Sequence, residues 1–285
     1  MINYHEIYDQ CIRAERDLVE DVRFKRKINI VLIRKCSVQI CEYLSSNTNF
    51  MVLLNAVQDK NPYLYSHPVN VALVAYVIGK WMKLSEKDLE KIVCTGLLHD
   101  IGKAKIRDSI LNKPDKLTYQ EMGEIRRHPI YGYSLLADLN VLEPEILLGV
   151  LYHHERNDGS GYPRGKKGEE INLFSRIIAV ADIYDAITAT KSYHTKSSPF
   201  KAVEEIEESS FASLDPQICQ IFLKHISDFY SGSTVRLSNE LVGEIVYVNP
   251  EERTKPLVRC ENEYHDLIEE RKIEIVEILS NLRIE

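Results

Sequence analysis

The sequence has no Cys-x-x-Cys pair, no extended block of Lys and Arg, no apolar run of membrane-spanning length and no internal repeat. Each absence removes a class of protein. The six cysteines, Cys11, Cys36, Cys41, Cys94, Cys219 and Cys260, are scattered over the chain, which predicts free thiols and excludes both a disulfide framework and a cysteine zinc site. A net charge of −7 with histidines neutral argues against a duplex nucleic-acid binder, which needs phosphate neutralisation; a local basic pocket stays compatible. The longest apolar stretch, Val69 to Gly79, is too short to span a bilayer, and Met1 to Gln10 has neither a basic nor an apolar leader region. The expectation is a cytoplasmic protein with no membrane partner. What is present, 285 residues with 44% hydrophobic and 28% charged, suffices for one catalytic domain with small appendages and excludes a disordered chain.

The hydrophobic pattern divides the chain in three. Residues 1–60 read as an N-terminal helical segment, with Ile7, Cys11, Ala14, Leu18 and Val22 recurring every three or four positions. It is short for an independent domain, so packing onto the next domain or homodimerisation is expected. Residues 61–230 keep helical periodicity, and Gly and Pro punctuation predicts helices at 66–83, 85–99, 118–138, 144–154, 172–190, 199–209 and 215–229. His67 is placed at the start of the first of these, after a cap at Ser66 and with Pro68 in the first turn. The loop after His154 holds Gly159, Gly161, Gly165 and Gly168 with Pro163, which together forbid a continuous helix; such loops are often functional. Residues 231–285 change to strand alternation at Val235 and Leu237, Leu241 to Val248, Leu257 to Arg259 and Ile273 to Val276. The predicted fold class is mainly α, an all-helical domain followed by a small β-barrel-like or meander domain.

The chemistry concentrates in the helical part, where His67, His99, His128, His153 and His154 fall. A lone histidine on an apolar helix is ordinarily a hydrogen-bonded core residue, and taken singly His67 and His128 read as structural. His99 and Asp100 close a helix together, where a carboxylate is electrostatically unfavourable unless it serves something else. His153 and His154 point about 100° apart on a helix and can share an ion only near a terminus, which the glycine-rich loop provides. Asp182 interrupts the apolar run from Ile177 to Ala181, and a buried carboxylate is costly unless paired or metal-bound. Asp185 shares its face, as an outer partner or a plain polar residue. Five imidazoles and two carboxylates exceed one tetrahedral site and match two adjacent divalent cations; nitrogen and oxygen ligation without thiolate favours iron or manganese. Such a pair, about 3.5–4 Å apart, holds a bridging hydroxide and polarises a phosphoryl oxygen. Lys103 could offset phosphate charge, though a solvated lysine is its ordinary reading.

His99-Asp100-Ile101-Gly102-Lys103, Leu111-Asn112-Lys113-Pro114, His128-Pro129, the run His153 through Pro163, and Arg176 to Ala186 resemble the HD-GYP family from about His67 to Phe222. The resemblance implies an all-α HD domain and a metal-dependent phosphodiesterase opening cyclic di-GMP to linear dinucleotide and/or GMP. It implies that His67, His99, Asp100 and Asp182 hold one metal and His128, His153 and His154 the second, with Asp100 bridging. It implies that Asp100 and Lys103 serve catalysis, that Lys103 contacts a phosphate, and that Gly161, Tyr162 and Pro163 border the substrate and offer a docking point for a diguanylate cyclase or other signalling protein. Lys191 and His194 fall where the family binds substrate through Arg-Pro-Tyr and another basic residue; here the run is Lys191-Ser192-Tyr193-His194, which trades a guanidinium fork for a point charge. Tyr63 stands where members with a third metal carry glutamate, so two metals are expected, and Ile106-Arg107 replaces the family's Ile-Pro. Hydrolysis of another nucleotide, or a non-catalytic sensing module, stay open as alternatives.

Overall fold

The computed structural model describes residues 4–46, 62–188, 199–210 and 213–281. The chain is mainly α. Two N-terminal helices, α1 (Tyr4–Arg23) and α2 (Val31–Ser45), precede α3 (Tyr63–Trp81) and α4 (Glu86–Leu98). Then come a 3-10 turn (Ile101–Lys105), α5 (Asp108–Leu111), α6 (Tyr119–Ile125), α7 (His128–Ala137) and α8 (Pro144–Tyr152). After the glycine-rich loop come α9 (Leu173–Thr188), α10 (Pro199–Ser210) and α11 (Pro216–Tyr230). Among the described residues no helix is long and apolar enough to cross a membrane, and all six cysteines are buried and unbridged.

Helix α3 is the axis of the bundle. Every residue from Ser66 to Gly79 is buried, as expected of a helix that is apolar all round. It packs on α4 and α9. The approach to α4 is close because Gly96 lies against the Ala72 backbone, where an added Cβ would come within 2.5 Å of Ala72 Cα. Two predicted boundaries are corrected. The helix carrying His67 begins at Tyr63, with Pro62 and not Ser66 as its N-cap, so Pro68 lies inside it; the burial of the preceding turn outweighs the one hydrogen bond that Pro68 cannot make. The helix predicted over 118–138 is two helices, with a capping box of Thr118 and Glu121 opening α6 and a break at Arg126 and Arg127. Pro129 causes the break, since it has no N–H to bond the Ile125 carbonyl.

The N-terminal helices pack onto the bundle: α1 lies against α3 and the 3-10 turn, and α2 against α4. One α1 residue breaks the apolar face. Glu15 is 2% exposed and its Oε1 has no hydrogen-bond partner; burial, then the neighbouring Cys36 and Asp100, push its carboxyl well above the usual range. The folded chain therefore holds a proton that the unfolded chain gives up, and stability falls as pH rises above the ordinary carboxyl range. Glu15→Gln is expected to flatten that slope and to exceed the wild type at pH 8 by about 1 kcal/mol or more. Urea denaturation at pH 5.5 and pH 8 reads this, and parallel pH trends in the two proteins would refute it.

The C-terminal part is one antiparallel sheet in the order β4-β3-β2-β1-β5, from β1 (Ser233–Leu237), β2 (Val242–Tyr247), β3 (Leu257–Cys260), β4 (Glu263–Asp266) and β5 (Ile275–Asn281). The alternation at Val235, Leu237, Ile245 and Val258 buries those side chains. The sequence pattern does not announce β4. That strand, Glu-Tyr-His-Asp, lies at the edge with mostly exposed side chains, so backbone pairing alone forms it.

Candidate metal centre

Three histidines reach the centre by one device. A helix end leaves carbonyls without partners, and His99, the C-cap of α4, donates its Nδ1–H to Gly96 O at 2.7 Å. His153, the C-cap of α8, does the same to Val150 O at 2.7 Å. His128 bonds Ile125 O at 2.8 Å, the carbonyl that Pro129 leaves unserved. With each Nδ1 occupied as donor, each Nε2 is turned inward. His67, from α3, gives its Nδ1 to Asp185 Oδ2 at 2.6 Å, with the Tyr63 hydroxyl also 3.0 Å away.

The Nε2 atoms meet around Asp100. His67 Nε2 and His99 Nε2 each lie 3.5 Å from Asp100 Oδ2, while His128 Nε2 and His153 Nε2 lie 3.2 and 3.9 Å from Asp100 Oδ1. Ligand atoms of His67, His99 and Asp100 lie within 4.8 Å of one another, as do those of Asp100, His128, His153 and His154. Asp182 Oδ1 is 3.1 Å from His67 Nε2, and its Oδ2 is 4.0 Å from His154 Nδ1, so it adjoins both clusters. Six of the seven predicted ligands thus come together in two groups that share Asp100, and the seventh, Asp182, borders both.

The donors suit cations. Among the described residues His99 Nε2 and Asp100 Oδ1 are buried without a hydrogen-bond partner. His128 Nε2 and His153 Nε2 face each other at 3.1 Å, a separation at which the two ring nitrogens can share one proton or one cation. Burial, opposed by Asp100, lowers the His99 imidazole. Burial, then His154, lowers His153 well below its ordinary value, and burial outweighs Asp182 to lower His154. Burial alone would raise the two carboxyls, but Lys103 and His99 hold Asp100 far down and His67 does so for Asp182. For His67 burial is outweighed by bonds to Asp182 and Asp185, which push the ring up to about 10. His99, His153 and His154, kept neutral beside ionised carboxylates, are in the form in which both bind metal, while a cation at His67 Nε2 would displace that ring's extra proton.

Lys103 comes three residues after Asp100 in a 3-10 turn, where positions i and i+3 eclipse, and its Nζ bonds Asp100 Oδ2. That turn sits tight on α7: an added Cβ at Gly102 would overlap the His128 carbonyl. On the open side, Tyr162 stacks on His154 with ring centres 4.7 Å apart, and the Arg126 guanidinium lies over the Tyr162 ring at 5.6 Å. Sequence pattern gives Glu155 no role, yet its buried carboxylate accepts from Arg164 N at 2.7 Å and Lys166 N at 3.0 Å and folds the loop. Gly161 lets that loop touch the ligand segment, since a Cβ there would come within 2.4 Å of His154 O. Lys191 and His194 lie outside the described residues.

The geometry defines the class first: a helical protein whose helix ends pool imidazoles and carboxylates into two adjoining candidate cation sites. The chain belongs to the HD domain family, which it matches over residues 51–218, and its ordered motifs are those of the HD-GYP type. It is 33% identical over 239 residues to Cyclic di-GMP phosphodiesterase PA4108 of Pseudomonas aeruginosa, covering 83% of this chain and 58% of that protein. It is 46% identical over 121 residues to Cyclic di-GMP phosphodiesterase response regulator RpfG of Xanthomonas campestris pv. campestris, covering 42% of this chain and 32% of the relative. A 3'3'-cGAMP-specific phosphodiesterase 3 of Vibrio cholerae is 36% identical over 161 residues, with coverage of 56% and 35%. The chain therefore spans between about a third and three fifths of these relatives' lengths. Bd1817, an HDG"Y"P protein from Bdellovibrio bacteriovorus, superposes with a TM-score of 0.61 at 16% identity, over 78% of this chain and 70% of that one; this likeness is one of fold.

Proposed function

We propose that the chain is a metal-dependent phosphodiesterase that hydrolyses cyclic di-GMP to linear dinucleotide and/or GMP, with two divalent cations, iron or manganese. The observation that carries this reading is the sharing of Asp100: one oxygen faces His67 and His99 and the other faces His128 and His153. Nothing in a structural role calls for so many inward-facing ring nitrogens around one carboxylate. His67, His99, Asp100 and Asp182 would hold one cation, and Asp100, His128, His153 and His154 the other. Cations bound there supply Lewis acidity toward a phosphoryl oxygen and an activated water. Lys103, a quarter exposed at 24%, reaches Asp100 from the solvent side and is placed to take a phosphate oxygen as charge develops on it. Tyr162, held against His154, walls the pocket beside that phosphate. The donor set without thiolate supports iron or manganese over zinc.

The cyclic di-GMP assignment draws on the names of PA4108 and RpfG, and the Vibrio relative favours a mixed cyclic dinucleotide as second reading. The test is turnover by protein purified anaerobically and loaded with Mn²⁺ or Fe²⁺, using cyclic di-GMP, 3'3'-cGAMP and the linear dinucleotide, with products separated by chromatography. Cyclic di-GMP is expected to disappear with linear dinucleotide or GMP forming. Cleavage of 3'3'-cGAMP alone would transfer the substrate to the second reading, and no cleavage by a metal-loaded chain would reduce it to a binding module.

A further inference from the structure

Helix α1 carries no residue of the ligand set, yet a directed chain of hydrogen bonds joins it to a ligand. The Tyr8 hydroxyl donates to Asn70 Oδ1 at 2.9 Å. An amide whose oxygen is so engaged must present its nitrogen on the other side, and Asn70 Nδ2 donates to Asp185 Oδ1 at 2.8 Å. The other oxygen of Asp185 accepts from His67 Nδ1 at 2.6 Å, which leaves His67 Nε2 toward Asp182 and Asp100. Each link sets the sense of the next. Tyr8, Asn70, Asp185 and His67 are 2%, 3%, 2% and 3% exposed, so no bulk water replaces a missing group.

We propose that α1 is a working part of the metal centre: Tyr8 is a positioning residue that, through Asn70 and Asp185, holds His67 in the tautomer and orientation that offer Nε2 to a cation. Without the Tyr8 hydroxyl Asn70 Oδ1 is left buried without its donor, and the amide loses one of the two bonds that hold Nδ2 on Asp185. Outer partners of metal-bound histidines typically contribute 10–100-fold in metal affinity. The inference rests on the reading of His67 as a ligand.

The same helix supplies a control. Tyr4 is equally buried, 4% exposed, and among the described residues its hydroxyl has no hydrogen-bond partner. Apo full-length protein titrated calorimetrically with Mn²⁺ is expected to show at least about a tenfold rise in a dissociation constant for Tyr8→Phe, with none for Tyr4→Phe. Asn70→Ala is expected to lose at least as much as Tyr8→Phe. Raising Mn²⁺ is expected to restore Tyr8→Phe turnover, which a packing defect would not allow. Wild-type Mn²⁺ affinity in Tyr8→Phe or Asn70→Ala, or an equal loss in Tyr4→Phe, overturns the proposal. Failure of the underlying reading looks different, because wild-type protein would then bind no Mn²⁺ at all.

Discussion

Asp100→Asn is expected to cut kcat/KM for cyclic di-GMP at least about a thousandfold, near 4 kcal/mol of lost transition-state stabilisation, while the fold persists. The carboxylate is the one group that both clusters share, with Lys103 and four imidazoles around it. An amide removes the charge and turns a donor on one side, so at least one cluster loses its anion. The side chain keeps its size, and the far-ultraviolet spectrum should match the wild type while metal per chain falls. Wild-type turnover in Asp100→Asn would end the dinuclear reading.

Removal of divalent cations from the wild type is the second large effect. Chelation is expected to abolish hydrolysis, and readdition of Mn²⁺ to restore it. The Tm should fall too. A ligand at a hundred times its Kd stabilises by about 2.7 kcal/mol, which for a domain of this size is roughly 5–10 °C. The source is the pooled donor set, in which His128 Nε2 and His153 Nε2 lie 3.1 Å apart beside the shared carboxylate and which only the folded chain presents to a cation. Scanning fluorimetry with and without chelator reads the shift, and unchanged Tm with full activity would contradict it.

Much of the candidate ligand set was legible, with the resemblance behind it, because several members carry sequence-local signals. His99-Asp100 closes a helix, His128 precedes a proline and His153-His154 precedes a glycine-rich loop, and each signal proved to be the helix end that turns Nε2 inward. Of the supporting partners Asp185 was in view, as an outer partner or a plain polar residue, while Tyr8 and Asn70 were not. Tyr8, Asn70 and Asp185 are separated by 62 and 115 residues, and Tyr8 and Asn70 each sit singly on an otherwise apolar helical face, where periodicity reads them as ordinary. Boundary errors had the same origin. The start of α3 is fixed by burial of its first turn against the bundle, and the pairing of β5 with β1 by tertiary contact; neither is written in nearby residues. Glu155 was in view within a recognised motif, but only the backbone path shows which amides its carboxylate collects.

The 3-10 turn after α4 has a consequence for how this protein can change length. His99, Asp100, Gly102 and Lys103 fall within five successive positions, and with three residues per turn each added residue swings the downstream chain by about 120°. One inserted codon between Asp100 and Lys103 would carry the ammonium to the opposite side of the backbone and displace the glycine from α7. Deletions and insertions should therefore be absent from this stretch in functional variants, whereas the exposed turn between β2 and β3 has no such constraint.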